Sequence, residues 1–138
     1  MDCLIRANLH YLAQARALVE RIDDRGFGRP VASFYGSSVG GHLRHCLEHY
    51  LSFLDGMEDG RIDYDRRRRD EVLETRTEAA AGMIDQLSAA LNDLRAADPP
   101  VGVLVKMDCG ADEIEWQPST IGRELQFLVS HTVHHFAM

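Results

Sequence analysis

Residues 37–56 read SSVGGHLRHCLEHYLSFLDG, and the fold turns on that stretch. Val39, Leu43, Cys46, Leu47, Tyr50, Phe53, Leu54 and Met57 recur at intervals of three and four, the spacing that lines up apolar side chains on one face of a helix. Ser37 or Ser38 offers an N-cap hydroxyl, and Gly60 ends the run. The stretch therefore predicts a helix of about five turns. His42, His45 and His49 fall at i, i+3 and i+7 on a strip that flanks the apolar stripe without replacing it.

Working outward, Leu4, Ile5, Leu9, Leu12, Ala15, Leu18, Val19 and Ile22 mark a first amphipathic helix, which Gly26 and Gly28 end. Val72, Ala79, Met83, Ile84, Leu87, Leu91 and Leu94 mark a third over residues 67–97. Pro99-Pro100 stops it, because proline lacks the amide and disfavours helix before it. Residues 101–116, VGVLVKMDCGADEIEW, mix β-branched residues with a Cys-Gly-Ala-Asp turn and predict a short hairpin or a structured loop. Ser119 or Thr120 caps a fourth helix from Ile121, with Leu125, Leu128, Val129, Thr132 and Phe136 on its inner face. Four amphipathic helices, with the longest connections between the first and second and the third and fourth, predict an all-α four-helix bundle. At 138 residues, without internal repeats, the chain is expected to be a single domain over 1–138.

Composition narrows the function. The net charge of −7 reflects 22 acids against 15 bases, and the one basic run, Arg66 to Arg69, is bracketed by Asp63, Asp65, Asp70 and Glu71. That balance disfavours nucleic acid, whose phosphates ask for an extended positive surface, and makes the run a self-neutralised helix start. Neither a signal peptide nor a membrane span is visible, and three cysteines without a CxxC pair argue against a disulfide framework, so the expected location is cytoplasmic.

Function is concentrated in histidine. The chain closes on SHTVHHFAM, where His131 and His135 lie about 40° apart on a helical wheel while His134 points away as a solvated bystander. If the second and fourth helices are neighbours, one histidine of the first strip and this i, i+4 pair can converge on one ion. Neutral imidazole suits a borderline divalent metal, Zn or Ni, without adding charge. Three protein ligands leave a position for water or a substrate thiolate or carbonyl. Spacing alone does not choose among His42, His45 and His49, and His45 is the furthest from the apolar centre.

SSVGGHLRHCLEHYLSFLDG and STIGRELQFLVSHTVHHFAM together resemble the DinB-like metalloenzyme family, over most of the chain. The resemblance implies a four-helix bundle with a three-histidine divalent-metal site, one ligand on the second helix and a His-x-x-x-His pair on the last. Carried over by position, the ligands are His45, which follows Ser38 by about two turns and precedes Cys46, with His131 and His135; His42 and His49 are the reserves. Phe136-Ala137 stands where many members carry Arg-Gly, and the family's last helix usually runs on for further turns. Some members resemble thiol-dependent transferases or isomerases, and many form dimers. The resemblance implies a metal-dependent enzyme that activates a thiol or water on a small molecule, working as a homodimer; no catalytic side chain is nominated. The rival reading is a metal-binding or stress-related bundle without turnover. A di-iron site is disfavoured, since that chemistry uses Glu-x-x-His pairs and none occurs in the sequence.

Four other residues are read as follows. Glu48, three residues after His45, is expected to be a solvated helix residue and Cys46 a core residue. Glu124, on the strip of His131 and His135, is a candidate to line the cavity above the ion, and Trp116 is expected to plug the bundle end beside the hairpin.

Overall fold

Side chains close to those nominated by the sequence set the ends of the long helices. In the computed structural model, which describes residues 1–32, 36–96, 102–106 and 115–137, the elements run α1 (Asp2–Val19), α2 (Asp24–Phe27), α3 (Val39–Asp59), β1 (Arg61–Asp63), α4 (Glu71–Thr75), α5 (Thr77–Ala96), β2 (Gly102–Lys106), β3 (Gln117–Thr120) and α6 (Ile121–Phe136). The Gly41 amide donates to Ser38 Oγ at 2.9 Å and the Arg123 amide to Thr120 Oγ1 at 3.1 Å, so α3 and α6 begin on hydroxyl caps. Each such cap contributes about 1 kcal/mol. At the far end of α3, Gly60 takes φ +67°, a left-handed conformation that costs glycine little, and its amide reaches back to the carbonyls of Gly56 and Met57.

The four long helices pack in a ring, α1 against α5 and α6, and α3 against the same two. Ile5, Leu12, Leu47, Phe53, Leu87, Leu91, Leu125 and Leu128 fill the centre and are buried. One polar group crosses this core: Asn8 Nδ2 donates to the carbonyls of Leu4 (2.8 Å) and Leu125 (3.0 Å), while Tyr50 OH donates to Asn8 Oδ1 (2.8 Å). Thr132 Oγ1 lies 3.3 Å from the same phenol.

The all-α expectation needs correction, because the mostly helical chain also carries a three-stranded sheet, ordered β1-β2-β3. β1 pairs in parallel with β2, Ile62 opposite Val105, and β2 pairs antiparallel with β3, Val103 opposite Ser119. The hairpin reading of residues 101–116 was right about β2, but its partner strand begins after Trp116, and the Cys109–Asp112 turn lies outside the described residues. β1 escapes sequence reading because three residues give no periodicity. A close approach places it: a Cβ at Gly56 would lie 2.4 Å from the Arg61 carbonyl oxygen, so glycine lets the strand cross α3.

The third helix is also shorter at its start than expected. Residues 66–70 are not helical, and Arg76, extended at φ −120° and ψ 113°, divides α4 from α5. The division is a tertiary effect. Asp24 Oδ1 accepts from both the amide and the hydroxyl of Thr77 at 2.8 Å, and Asp24 Oδ2 pairs with Arg76 at 3.1 Å, so a carboxylate from α2 caps α5 in place of a local residue. These bonds hold the Asp24 carboxyl below its ordinary range, the Thr77 amide contributing most. Among the described residues no helix is long and apolar enough to cross a membrane.

Candidate metal centre

Two helices that pack against each other bring the histidines together. α3 carries His42, His45 and His49, and α6 carries His131, His134 and His135. His45, His131 and His135 each offer one atom to a set in which all separations are within 4.8 Å, and all three are half-buried. His45 Nε2 faces His131 Nε2 at 3.1 Å. Two nitrogens held by one tetrahedral zinc at about 2.1 Å each would stand about 3.4 Å apart.

The reserve histidines take supporting places. His42 Nδ1 lies 3.1 Å from His135 Nδ1, a contact of the kind that orients a ligand histidine. His49 Nδ1 donates to the His45 carbonyl at 2.8 Å, and its ring lies 4.0 Å from that of His131 and 5.6 Å from that of Tyr64. His134 is exposed, as the wheel predicted. The wheel placed His45 furthest from the apolar stripe, yet the ring is half-buried, because residues 64–70 fold back over that side of α3.

Burial settles the protonation of these rings. His45 and His131 are pushed down to about 3 and His135 to about 4, desolvation being the largest cause in each. Neighbouring histidines add to it in all three, and Arg67 adds to it at His45. At neutral pH the three imidazoles are uncharged, with lone pairs to give. Among the described residues His131 Nδ1 is buried and without a hydrogen-bond partner, and the Nε2 atoms of His45 and His131 face one another. That donor set fits a borderline divalent cation: it supplies neutral nitrogens at coordination spacing, two of them facing each other.

Three residues around the centre depart from the reading of the sequence. Glu48 is 2 % exposed rather than solvated; it accepts from the Asp70 amide at 2.9 Å and from Arg44 at 3.3 Å, so it anchors the end of the 64–70 segment. The arginine run does not start a helix, and Arg67 turns inward, its Nη1 2.5 Å from His45 Nδ1. Tyr64, which the sequence did not single out, is buried and donates to Glu124 Oε2 at 2.8 Å. Ser119 donates to the other oxygen of Glu124, which therefore supports the wall of the centre through Tyr64. Burial raises the Tyr64 phenol far above its ordinary range, the Glu124 carboxylate adding to the effect. Nothing local marks these three, since each owes its role to a segment that returns from elsewhere.

Cys46 is a core residue as expected, and burial pushes its thiol up to about 12, so it offers no thiolate at neutral pH. Trp116 is half-buried beside the sheet, with the Arg61 guanidinium 5.6 Å and Lys106 Nζ 6.0 Å from its ring. A cavity of about 380 Å³ opens next to the centre, bounded by His42 and His135 and otherwise mainly apolar through Ala15, Leu18, Leu43 and Cys46.

A family model described as the DinB superfamily matches residues 10–138. No curated protein and no solved structure matches the chain. The chain belongs to the DinB superfamily.

Proposed function

We propose that this DinB-superfamily chain is a metal-dependent enzyme in which His45, His131 and His135 hold one divalent cation, Zn or Ni, and a small molecule is turned over beside it. The observation that carries the reading is the set of three neutral imidazoles with ligand atoms within 4.8 Å of one another. When bound, the cation supplies a Lewis acid that activates a thiol or water.

The chain's own residues do the rest. The α3 backbone holds His45, while His42 meets His135 and fixes the orientation of that ring. His49, held by the His45 carbonyl, and Tyr64, held by Glu124, wall the centre on the side away from the cavity and keep water off the imidazoles. The apolar cavity beside His135 has room for a small organic substrate and excludes bulk solvent from its body. With its thiol protonated, Cys46 acts there as an apolar wall and not as a nucleophile.

Metal analysis of tag-free protein tests the reading. One equivalent is expected in wild type and much less in His45→Ala and His135→Ala. Metal absent from wild type, or retained equally in both variants, removes the proposal. A turnover screen with small thiols and electrophiles, run on wild type and His45→Ala, then separates an enzyme from a bundle that binds metal without reaction. Homodimer formation and a cytoplasmic location belong to the same proposal.

A further inference from the structure

Arg67 is a cation in search of a counter-ion at the candidate centre. It sits on the segment joining β1 to α4, which is pinned at both ends. The amides of Asp65 and Arg66 donate to Asp63 Oδ1 at 3.0 and 3.3 Å, and the Asp70 amide donates to Glu48 Oε1 at 2.9 Å. Half-buried between these anchors, Arg67 turns its guanidinium toward His45.

Burial, not the missing partner alone, sets it apart from the other arginines. Arg6, Arg16, Arg44, Arg68, Arg76 and Arg95 each have a carboxylate within 4.0 Å; among the described residues the rest have none, but all of these except Arg67 are exposed to water, which solvates their charge, whereas Arg67 is half-buried. Its Nε is buried and makes no hydrogen bond among the described residues. The acceptor its Nη1 does meet is His45 Nδ1, a neutral ring nitrogen, which must accept because a guanidinium can only donate. A partly buried charge with so little compensation is costly unless something of opposite sign completes it.

Metal loading sharpens the imbalance. His45 Nε2 is the nitrogen that faces His131, so a cation held there leaves the ring proton on Nδ1. Nδ1 would then be a donor facing another donor, and the His45 ring would stand between two positive groups. The pair calls for an anion. A guanidinium fork matches the planar carboxylate, which it can grip by two parallel bonds.

Arg67 also borders a second cavity, distinct from the apolar one beside His135 and, among the described residues, lined by no histidine. This cavity is polar, of about 530 Å³, and is also lined by Arg61, Arg66 and Arg68. Asp55, Asp59 and Asp63 share that cavity, with Asp55 paired to Arg68 at 3.7 Å and Asp63 to Lys106 at 3.6 Å.

From this arrangement we propose that Arg67 binds the carboxylate of a small-molecule substrate at the metal centre, so that the substrate class is an organic acid. The inference rests on the metal reading above and assigns it a substrate class. The test loads wild type, Arg67→Met and Arg67→Lys with cobalt(II), confirms fold by circular dichroism and metal by elemental analysis, and titrates in butyrate, butyramide and inorganic phosphate. Calorimetry and the cobalt absorption bands are the readouts. Wild type should bind butyrate at least about tenfold more tightly than butyramide or phosphate. Arg67→Met should lose at least about tenfold of that affinity at full metal content, and Arg67→Lys, which keeps the charge without the fork, should lie between. Equal butyrate affinity in Arg67→Met at full metal content overturns the inference alone, as does a preference for phosphate. Metal lost from folded Arg67→Met and Arg67→Lys alike also overturns it, making Arg67 a support for the ligands. Wild type that takes up no metal overturns the underlying reading and this inference with it.

Discussion

Two polar clusters lie between α3 and α6, one residue apart on each helix. Tyr50 meets Asn8 and Thr132 in the core, and the immediate neighbours His49 and His131 place their rings 4.0 Å apart in the candidate centre. In the first cluster every acceptor meets a donor: Asn8 spends both amide functions, and the Tyr50 phenol completes it. In the second, ring nitrogens face ring nitrogens, and among the described residues His131 Nδ1 has no hydrogen-bond partner and Arg67, which meets His45, has no carboxylate within 4.0 Å. The same two helices thus carry a cluster that is complete by itself and one that an ion would complete. Completeness is what separates a stabilising network from a binding site.

The sharpest break of this comparison is His45→Ala. It should lower divalent-metal affinity by more than about a hundredfold, beyond the 10–100-fold typical of an outer partner, as read by competition with a chromophoric chelator. Metal-free stability of that variant should stay within about 1 kcal/mol of wild type, because the partners the ring gives up, the Arg67 guanidinium and the His131 imidazole, are only half-buried and can turn to water instead.

Asn8→Ala should do the reverse. It strands the Leu125 carbonyl and the Tyr50 hydroxyl in the core, so urea denaturation should show a loss of about 2–3 kcal/mol with metal affinity unchanged in the folded fraction. If Asn8→Ala instead costs metal and leaves stability alone, the two clusters are not the separate devices described above.

A smaller effect is expected at His42→Ala, which removes the partner that orients His135. Metal affinity should fall by about tenfold, with stoichiometry preserved.

The pH dependence of the metal-free protein probes the same comparison. His45, His131 and His135 sit at about 3 to 4 when folded and near 6.5 when unfolded, so between those limits the unfolded chain binds more protons. The stability they contribute is complete above about pH 7 and drains away as pH falls from about 6.5 toward 4. The Asn8 cluster has no group titrating there, since burial raises the Tyr50 phenol above its ordinary range. Urea midpoints for wild type should therefore fall across this window, and His45→Ala should flatten part of the slope.

Much of this was legible in the sequence. The apolar spacing from Val39 to Met57 and from Ile121 to Phe136, with Ser38 and Thr120 ahead of each, sufficed to place α3 and α6, because caps and periodicity are local properties. The i, i+4 pair His131 and His135 followed from the same periodicity. His45 came from family resemblance, since the wheel could not see that residues 64–70 would cover its side of the helix.

What the sequence by itself determined, then, is where the helices run and which imidazoles stand on a common strip, for these depend on neighbours three and four residues away. The tertiary structure alone decided three matters: the burial of Glu48, the break before Thr77 made by Asp24, and the inward turn of Arg67. Each rests on a partner 22 or 53 residues distant, and a contact at that range leaves no periodic trace in the chain.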